Sequence, residues 1–366
     1  MQAATAPPDV GPACELGSPF LFTRGGTRLI QVQPTSRCNL RCAHCYSESA
    51  PERNGSLSGE SLARFLREAG PLGYRYVGVS GGEPLLWPDL EPFLEAALDA
   101  GFSTSVITNG TLITAQRAAR LRRLAGLVAV SVDGPPKDHA AIRGPAAFDG
   151  MRRGLTALRD EEVTFALVFT LTKYNADRLH WLYDFADEVG ALGVEVHPLA
   201  GVGAARVNLP DDVPDTTEFK AAAWLLALLH YQRGPGGPGV TLDVIRRERI
   251  EQSRWPMIHA GQSGLDTAPF ADLVPSLIVE PDGCVVPFIY GFPRRWAVGF
   301  FEQQSLASAV DAWRSHCAKP VADIVNTTLK RLDEAGADFV DLFAEVLATA
   351  KGFDSREILG SRRASS

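Results

Sequence analysis

The feature that most constrains this chain is a regular alternation of β-type and helical patterns from about residue 28 to residue 198. Apolar stretches at 28–35, 75–80, 103–108, 127–132, 163–170 and 193–197 read as strands. Helical spacing fills the intervals: Leu62, Phe65, Leu66 and Ala69 recur within 58–70, and similar patterns cover 89–101, 114–126, 147–160 and 177–190. Six such periods imply a parallel sheet with right-handed crossovers, either open and doubly wound or a partial barrel. In both, chemistry gathers at the C-terminal ends of the strands. Polar or glycine-rich groups fall there in succession, at 38–45, 81–84, 108–110 and 131–134.

After Leu199 the rhythm changes. An apolar helix is expected over 216–231, a loop or boundary over the glycine- and proline-rich 233–239, and a hairpin over 276–289 turning at Pro281, Asp282 and Gly283. Helices are expected over 306–317 and 321–351. The division that follows is a lead-in over 1–27, a core over 28–206, a linker with helices over 207–265, a small C-terminal α+β domain over 266–352 and a disordered tail over 353–366.

Composition narrows the class. Thirty-six basic against 43 acidic residues give a formal charge of −7, which argues against a nucleic-acid partner or an anionic membrane surface. No apolar run reaches membrane-spanning length, and residues 1–17 lack the basic segment and apolar core of a secretory signal. A cytoplasmic, reducing location is therefore expected. In it, three of six cysteines crowded into eight positions suggest a metal rather than disulfides, while Cys14, Cys284 and Cys317 lie scattered.

The crowded cysteines are Cys38, Cys42 and Cys45, a C-x₃-C-x₂-C loop following the first strand. Three thiolates on a four-iron cube leave one iron open to another ligand. The spacing also admits zinc held by the three cysteines and His44, although His44, next to a ligand, folds back to the same ion only awkwardly.

Together with Ser80-Gly81-Gly82-Glu83-Pro84 after the second strand, the loop resembles the radical S-adenosylmethionine superfamily over about 29–206. The resemblance implies a partial (β/α)6 TIM-like barrel, one [4Fe–4S] cluster on Cys38, Cys42 and Cys45, and S-adenosylmethionine on its open iron. By position, Gly81, Gly82, Glu83 and Pro84 would hold the methionyl ammonium, a cation suited to a carboxylate acceptor. Thr108, Asn109, Ser131 and Asp133 would meet the ribose and methionyl carboxylate, or else shape turns and caps. His197 and Leu199 begin the segment expected to line the adenine, with Tyr46 packed nearby. Arg143 lies in a segment similar to one in the peptide- and metabolite-modifying branch, as a carboxylate ligand or in a surface salt bridge.

Residues 278–288 resemble the hairpin that opens the SPASM or twitch extension, but Phe288 stands where its first auxiliary-cluster cysteine is expected. The C-terminal domain is thus expected to be twitch-like without a second cluster, favouring redox-neutral chemistry: decarboxylation, dehydration or epimerisation. Cys284 and Cys317 are candidate hydrogen-atom donors. Arg143, Arg206, Arg294 and Arg295 are candidates for a substrate carboxylate or phosphate. The expected activity is reductive cleavage of S-adenosylmethionine and hydrogen abstraction from a polar small molecule (a nucleoside, sugar acid or amino acid) in natural-product biosynthesis, with flavodoxin or ferredoxin as electron donor. Alternatives are a maturase of a ribosomally made peptide and a non-catalytic zinc- or cluster-binding regulator.

Overall fold

The structure is a computed structural model that describes residues 28–253, 255–259 and 261–363, with only the backbone course at 262 and 354–363. The lead-in over 1–27, Cys14 included, and the last three residues lie outside the described residues. The strands are β1 (Leu29–Val32), β2 (Tyr76–Val79), β3 (Ser103–Thr108), β4 (Leu127–Ser131), β5 (Phe165–Leu171), β6 (Gly193–Pro198), β7 (Gly239–Leu242), β8 (Ile245–Arg246), β9 (Ser276–Val279), β10 (Cys284–Pro287), β11 (Gly299–Phe300) and β12 (Phe339–Val340). With the helices between them, β1 to β6 follow the expected strand–helix succession of a partial barrel, and among the described residues no closed barrel forms. Among the described residues no helix is long and apolar enough to cross a membrane.

The chain divides into two compact units that cut across the expected domain boundaries. One contains Cys42–Tyr46 and Thr104–Asp243; the other contains 28–41, Ser47–Ser103 and 244–363.

In the first unit β3 to β7 pair in parallel, each with the next. Because side chains alternate along a strand, the register sorts them into two faces. One face carries Val128, Val130, Leu167, Phe169, Val194, Val196 and Leu242, all nearly inaccessible to solvent. Burying such a side chain contributes roughly 1.5–3 kcal/mol each. The other face turns polar toward the strand ends. Ser131, Val168, Glu195 and Thr241 stand in one row, followed by Asp133, Thr170, His197 and Asp243. Crossover helices start on side-chain caps where the sequence supplies them: Thr114 accepts from the Arg117 amide, and Asp215 with Glu218 forms a capping box.

Strand β7 corrects the expected linker over 207–265. It is short and follows a glycine- and proline-rich run, so no periodicity reveals it. Its approach to β6 is close enough that a Cβ on Gly193 would lie 2.6 Å from the Gly239 carbonyl oxygen. Helix Pro136–Arg143 was also not expected from the pattern.

In the second unit the sheet runs β11-β10-β9-β1-β2. The expected hairpin is β9 and β10, closed by Gly283 at φ 83°, and β9 adds to β1 in parallel. The expected helix over 321–351 is in fact two, Ala318–Glu334 and Leu342–Arg363, separated by β12. Gly336, at φ 64°, interrupts it. The second helix runs on through 353–363, where a disordered tail was expected.

Candidate functional site

The two ends of the cysteine loop belong to different units. In the second unit the chain leaving β1 is tied down before it reaches Cys38: the Cys38 amide donates to the Ala50 carbonyl at 3.2 Å and the Ala50 amide to that of Ser36 at 3.2 Å. Cys38 is 9% exposed, and its sulfur accepts from the Leu40 amide at 3.4 Å. The glycine motif after β2 lies directly against this segment. Gly82 donates to the Thr35 carbonyl at 2.8 Å and Glu83 to that of Arg37 at 2.9 Å. A Cβ on Gly82 would sit 2.1 Å from the Arg37 carbonyl oxygen, so only glycine fits. Glu83 is fully buried, one carboxylate oxygen capping the Leu85 amide at 3.1 Å and Pro84 starting the turn that follows.

In the first unit Cys42 to Tyr46 are held from two directions. The Ala43 amide donates to the Ile142 carbonyl at 2.8 Å, and Ala204 donates to the Cys45 carbonyl at 2.9 Å. Gly203 permits this contact, since a Cβ there would lie 2.3 Å from the Tyr46 carbonyl oxygen. The segment beginning at His197 and Leu199 is thereby brought against the last cysteine.

Beneath Cys42 lies a buried ion network. Asp133 Oδ2 accepts from Arg143 Nε at 2.5 Å and from His44 Nε2 at 2.9 Å, while Asp133 Oδ1 accepts from the Thr170 amide at 3.3 Å. Arg143 Nη1 reaches to 3.9 Å from Cys42 Sγ. Burial alone would raise the Asp133 carboxyl, but Arg143 and His44 hold it well below the usual carboxylate range. Burial pushes the Cys42 thiol up, and Arg143 opposes that. His139 accepts from the Asp133 amide at 3.2 Å, and burial, aided by Arg143, pushes it down to about 4, so it stays neutral.

This network bears on the choice between zinc and an iron–sulfur cluster. His44 is committed through Nε2 to a buried carboxylate, so the loop is left with three thiols, none of them in a disulfide. Three thiolates with no fourth protein donor from the loop suit a four-iron cluster with one open iron better than a closed zinc site.

Other expected residues fall differently. Asp133 is spent on Arg143 and His44. Thr108 pairs with Val130 in register and faces the apolar side, where its hydroxyl accepts from the Gly110 amide at 3.1 Å. Asn109 accepts from the Thr111 amide at 2.9 Å, shaping the turn. Ser131 stands on the polar face, and Tyr46 is half-buried. Of the arginines, Arg143 is buried against Asp133 rather than in a surface salt bridge, and Arg206 is exposed. Arg294 binds Glu280 at 2.5 Å and Asp282 at 2.9 Å, and Arg295 lies over the Trp296 ring at 4.4 Å. Cys284 is fully buried and Cys317 is half-buried, its thiol 3.8 Å from the Arg295 carbonyl; burial pushes both thiols up.

His197 belongs to a group not anticipated. Its Nδ1 hydrogen-bonds Asp243 Oδ2, and its Nε2 stands 3.7 Å from Glu195 Oε1. Asp243 Oδ1 is buried with no hydrogen-bond partner. Burial pushes the Glu195 carboxyl up, with His197 opposing. Glu195 and His197 are alternate residues at a strand end, a signal legible in sequence. Asp243 follows β7, which was not.

At Phe288 the backbone adopts φ 70°, unusual for a non-glycine residue. The ring is buried, stacks on Phe343 at 5.4 Å and meets Trp255 and Phe292 edge-on.

Comparison with known proteins agrees with this geometry. Residues 32–186 match the Radical SAM superfamily. An AdoMet-dependent heme synthase from Methanosarcina barkeri is 34% identical over 202 residues, covering 54% of this chain and 57% of that protein. The chain spans about half the length of the relatives it matches in sequence. Among solved structures, Streptococcus suis SuiB bound to S-adenosylmethionine superposes with a TM-score of 0.62 at 17% identity, covering 80% of this chain and 67% of that one. The enzyme anSMEcpe with bound AdoMet and the Cp18Cys peptide gives 0.59 at 18% identity, over 92% of this chain and 99% of that one. The family matched over residues 32–186 goes with a [4Fe–4S] cluster and S-adenosylmethionine, and the fold shared with these neighbours agrees with that match.

Proposed function

We propose that the chain is an enzyme that cleaves S-adenosylmethionine reductively and abstracts hydrogen from a polar small molecule, with a redox-neutral outcome. The observation that carries this reading is the three-thiol loop whose only histidine is withdrawn onto Asp133. Cys38, Cys42 and Cys45 would hold the cluster. When bound, it supplies one electron that breaks a carbon–sulfur bond of S-adenosylmethionine homolytically, giving the radical that takes a hydrogen atom from the substrate. An external donor of the flavodoxin or ferredoxin class delivers that electron.

The chain's own residues prepare the space. Gly81 and Gly82 let backbone lie close to the cysteine segment, and Glu83 offers a buried carboxylate for the methionyl ammonium. Glu195, His197 and Asp243 line the polar face and suit a substrate bearing hydrogen-bond donors or a cationic group. The aromatic packing of Phe288 supports a C-terminal part without an auxiliary cluster to accept a leftover electron, which favours decarboxylation, dehydration or epimerisation. A biosynthetic role in natural-product assembly follows as the proposed setting.

A peptide substrate is the second reading. The fold neighbours SuiB and anSMEcpe were solved with a precursor peptide and with Cp18Cys, respectively. Anaerobic reconstitution tests the main claim: about four irons per chain, and 5′-deoxyadenosine formed on reduction with S-adenosylmethionine. A colourless, zinc-loaded protein would sink it. Incubation with peptides against small polar amines and acids, scored by 5′-deoxyadenosine above background, separates the two substrate classes.

A further inference from the structure

We propose that Arg143 is a positioning residue that sets the reduction potential of the cluster, by directing its guanidinium at the sulfur of Cys42 while Asp133 locks it in place. The proposal rests on the functional reading above, in that it presupposes the cluster on Cys38, Cys42 and Cys45.

Three features converge on this role. Arg143 is the last residue of helix Pro136–Arg143, and the carbonyl just before it, that of Ile142, accepts from Ala43 within the cysteine loop. The helix end and the loop are thus joined through backbone, and the side chain has little freedom in where it points. Its Nε donates to Asp133 at 2.5 Å, and its Nη1 lies 3.9 Å from Cys42 Sγ. A planar guanidinium can address two acceptors at once in this way; a lysine ammonium cannot hold both directions. The pair is also buried, with side-chain exposures of 10% for Arg143 and 2% for Asp133.

Burying an arginine and an aspartate costs desolvation, and a pair serving stability alone is readily replaced by apolar packing. An arginine held against a cysteine sulfur has an additional effect. Thiolate-ligated clusters gain negative charge on reduction, and hydrogen bonds to their sulfurs, together with nearby fixed charge, are levers that set the potential. A cation beside Cys42 stabilises the reduced form more than the oxidised one and so raises the potential. His44, on the same Asp133 oxygen, keeps the carboxylate from swinging away from Arg143.

The test is an EPR-monitored redox titration of the reconstituted protein with dithionite, alongside iron counts, for the wild type, Arg143→Met and Arg143→Lys. At the potential where half of the wild-type clusters are reduced, Arg143→Met should show a roughly tenfold smaller ratio of reduced to oxidised cluster. That corresponds to about 59 mV for a one-electron couple. Arg143→Lys, which keeps the charge but loses the fork, should fall between the two. Full iron loading with the wild-type potential in Arg143→Met overturns the proposal. If Arg143→Met does not load iron, Arg143→Lys decides: a loaded variant at the wild-type potential overturns it as well. Loss of iron in both variants would make Arg143 a structural residue, which also overturns it. A wild-type protein that takes up no iron would instead defeat the functional reading, and this proposal with it.

Discussion

Two carboxylate–histidine groups stand on the same face of one sheet and behave oppositely. At the end of β4, Asp133 is 3% exposed, and both of its oxygens are engaged, by Arg143, His44 and the Thr170 amide. At the ends of β6 and β7, Glu195, His197 and Asp243 keep side-chain exposures of 22%, 37% and 21%, and one Asp243 oxygen has no partner. The first group holds its charge in balance; the second places two carboxylates around a single imidazole. A neutralised buried network gives rigidity, whereas two partly exposed carboxylates around one imidazole leave acceptors in excess of donors among the three side chains.

The largest expected effect comes from breaking the balanced group. Asp133→Ala strands Arg143 and His44 in a buried site and should cost about 3–5 kcal/mol in urea unfolding. Removing the charge at the open group should behave otherwise. Asp243→Asn should leave stability within about 1 kcal/mol. It should weaken binding of the turnover substrate about ten- to a hundredfold, read as KM, because a charged acceptor is lost. Equal stability losses at both positions would erase the distinction drawn between them.

Acid and base titration sharpen the comparison, since the two groups differ in sign. Asp133 is depressed in the folded state, so its contribution is present above the ordinary carboxylate range and is lost as pH falls below about 4. Glu195 is raised by burial, so ionising it costs stability as pH rises out of that range. Thermal melts of Glu195→Gln should therefore gain on the wild type toward neutral pH, by less than about 1 kcal/mol. Parallel melting profiles across that range would contradict the assignment. The smallest effect is expected at Thr170→Val, which preserves the backbone donor to Asp133 and should shift stability by less than about 0.5 kcal/mol.

Much of this was readable from residue order. The strand over 103–108 and the helix over 147–160 coincide with observed elements: the turn at Asn109 closes the strand, and buried Phe148, Met151, Leu155 and Leu158 recur at helical spacing. Gly82 was legible as part of a glycine turn after β2, though not the reason for the glycine, which is the Arg37 carbonyl packed against its Cα. Strand β7 was hidden because four residues after a glycine-rich run carry too little periodicity to register. Arg294 was read as a substrate ligand, yet Glu280 and Asp282, on the neighbouring hairpin, consume its charge.

Order along the chain settled which residues lie at strand ends, which cysteines share a loop and which histidine accompanies them. It did so because side-chain direction follows local periodicity, and ligand spacing is a matter of a few covalent steps. The tertiary fold alone decided which of those groups remain chemically available. His44 meets Asp133 across 89 residues and His197 meets Asp243 across 46, and whether a buried charge is cancelled depends on partners at that range. Local pattern carries no record of such distances, so the same residue types became a sealed support in one place and an open face in the other.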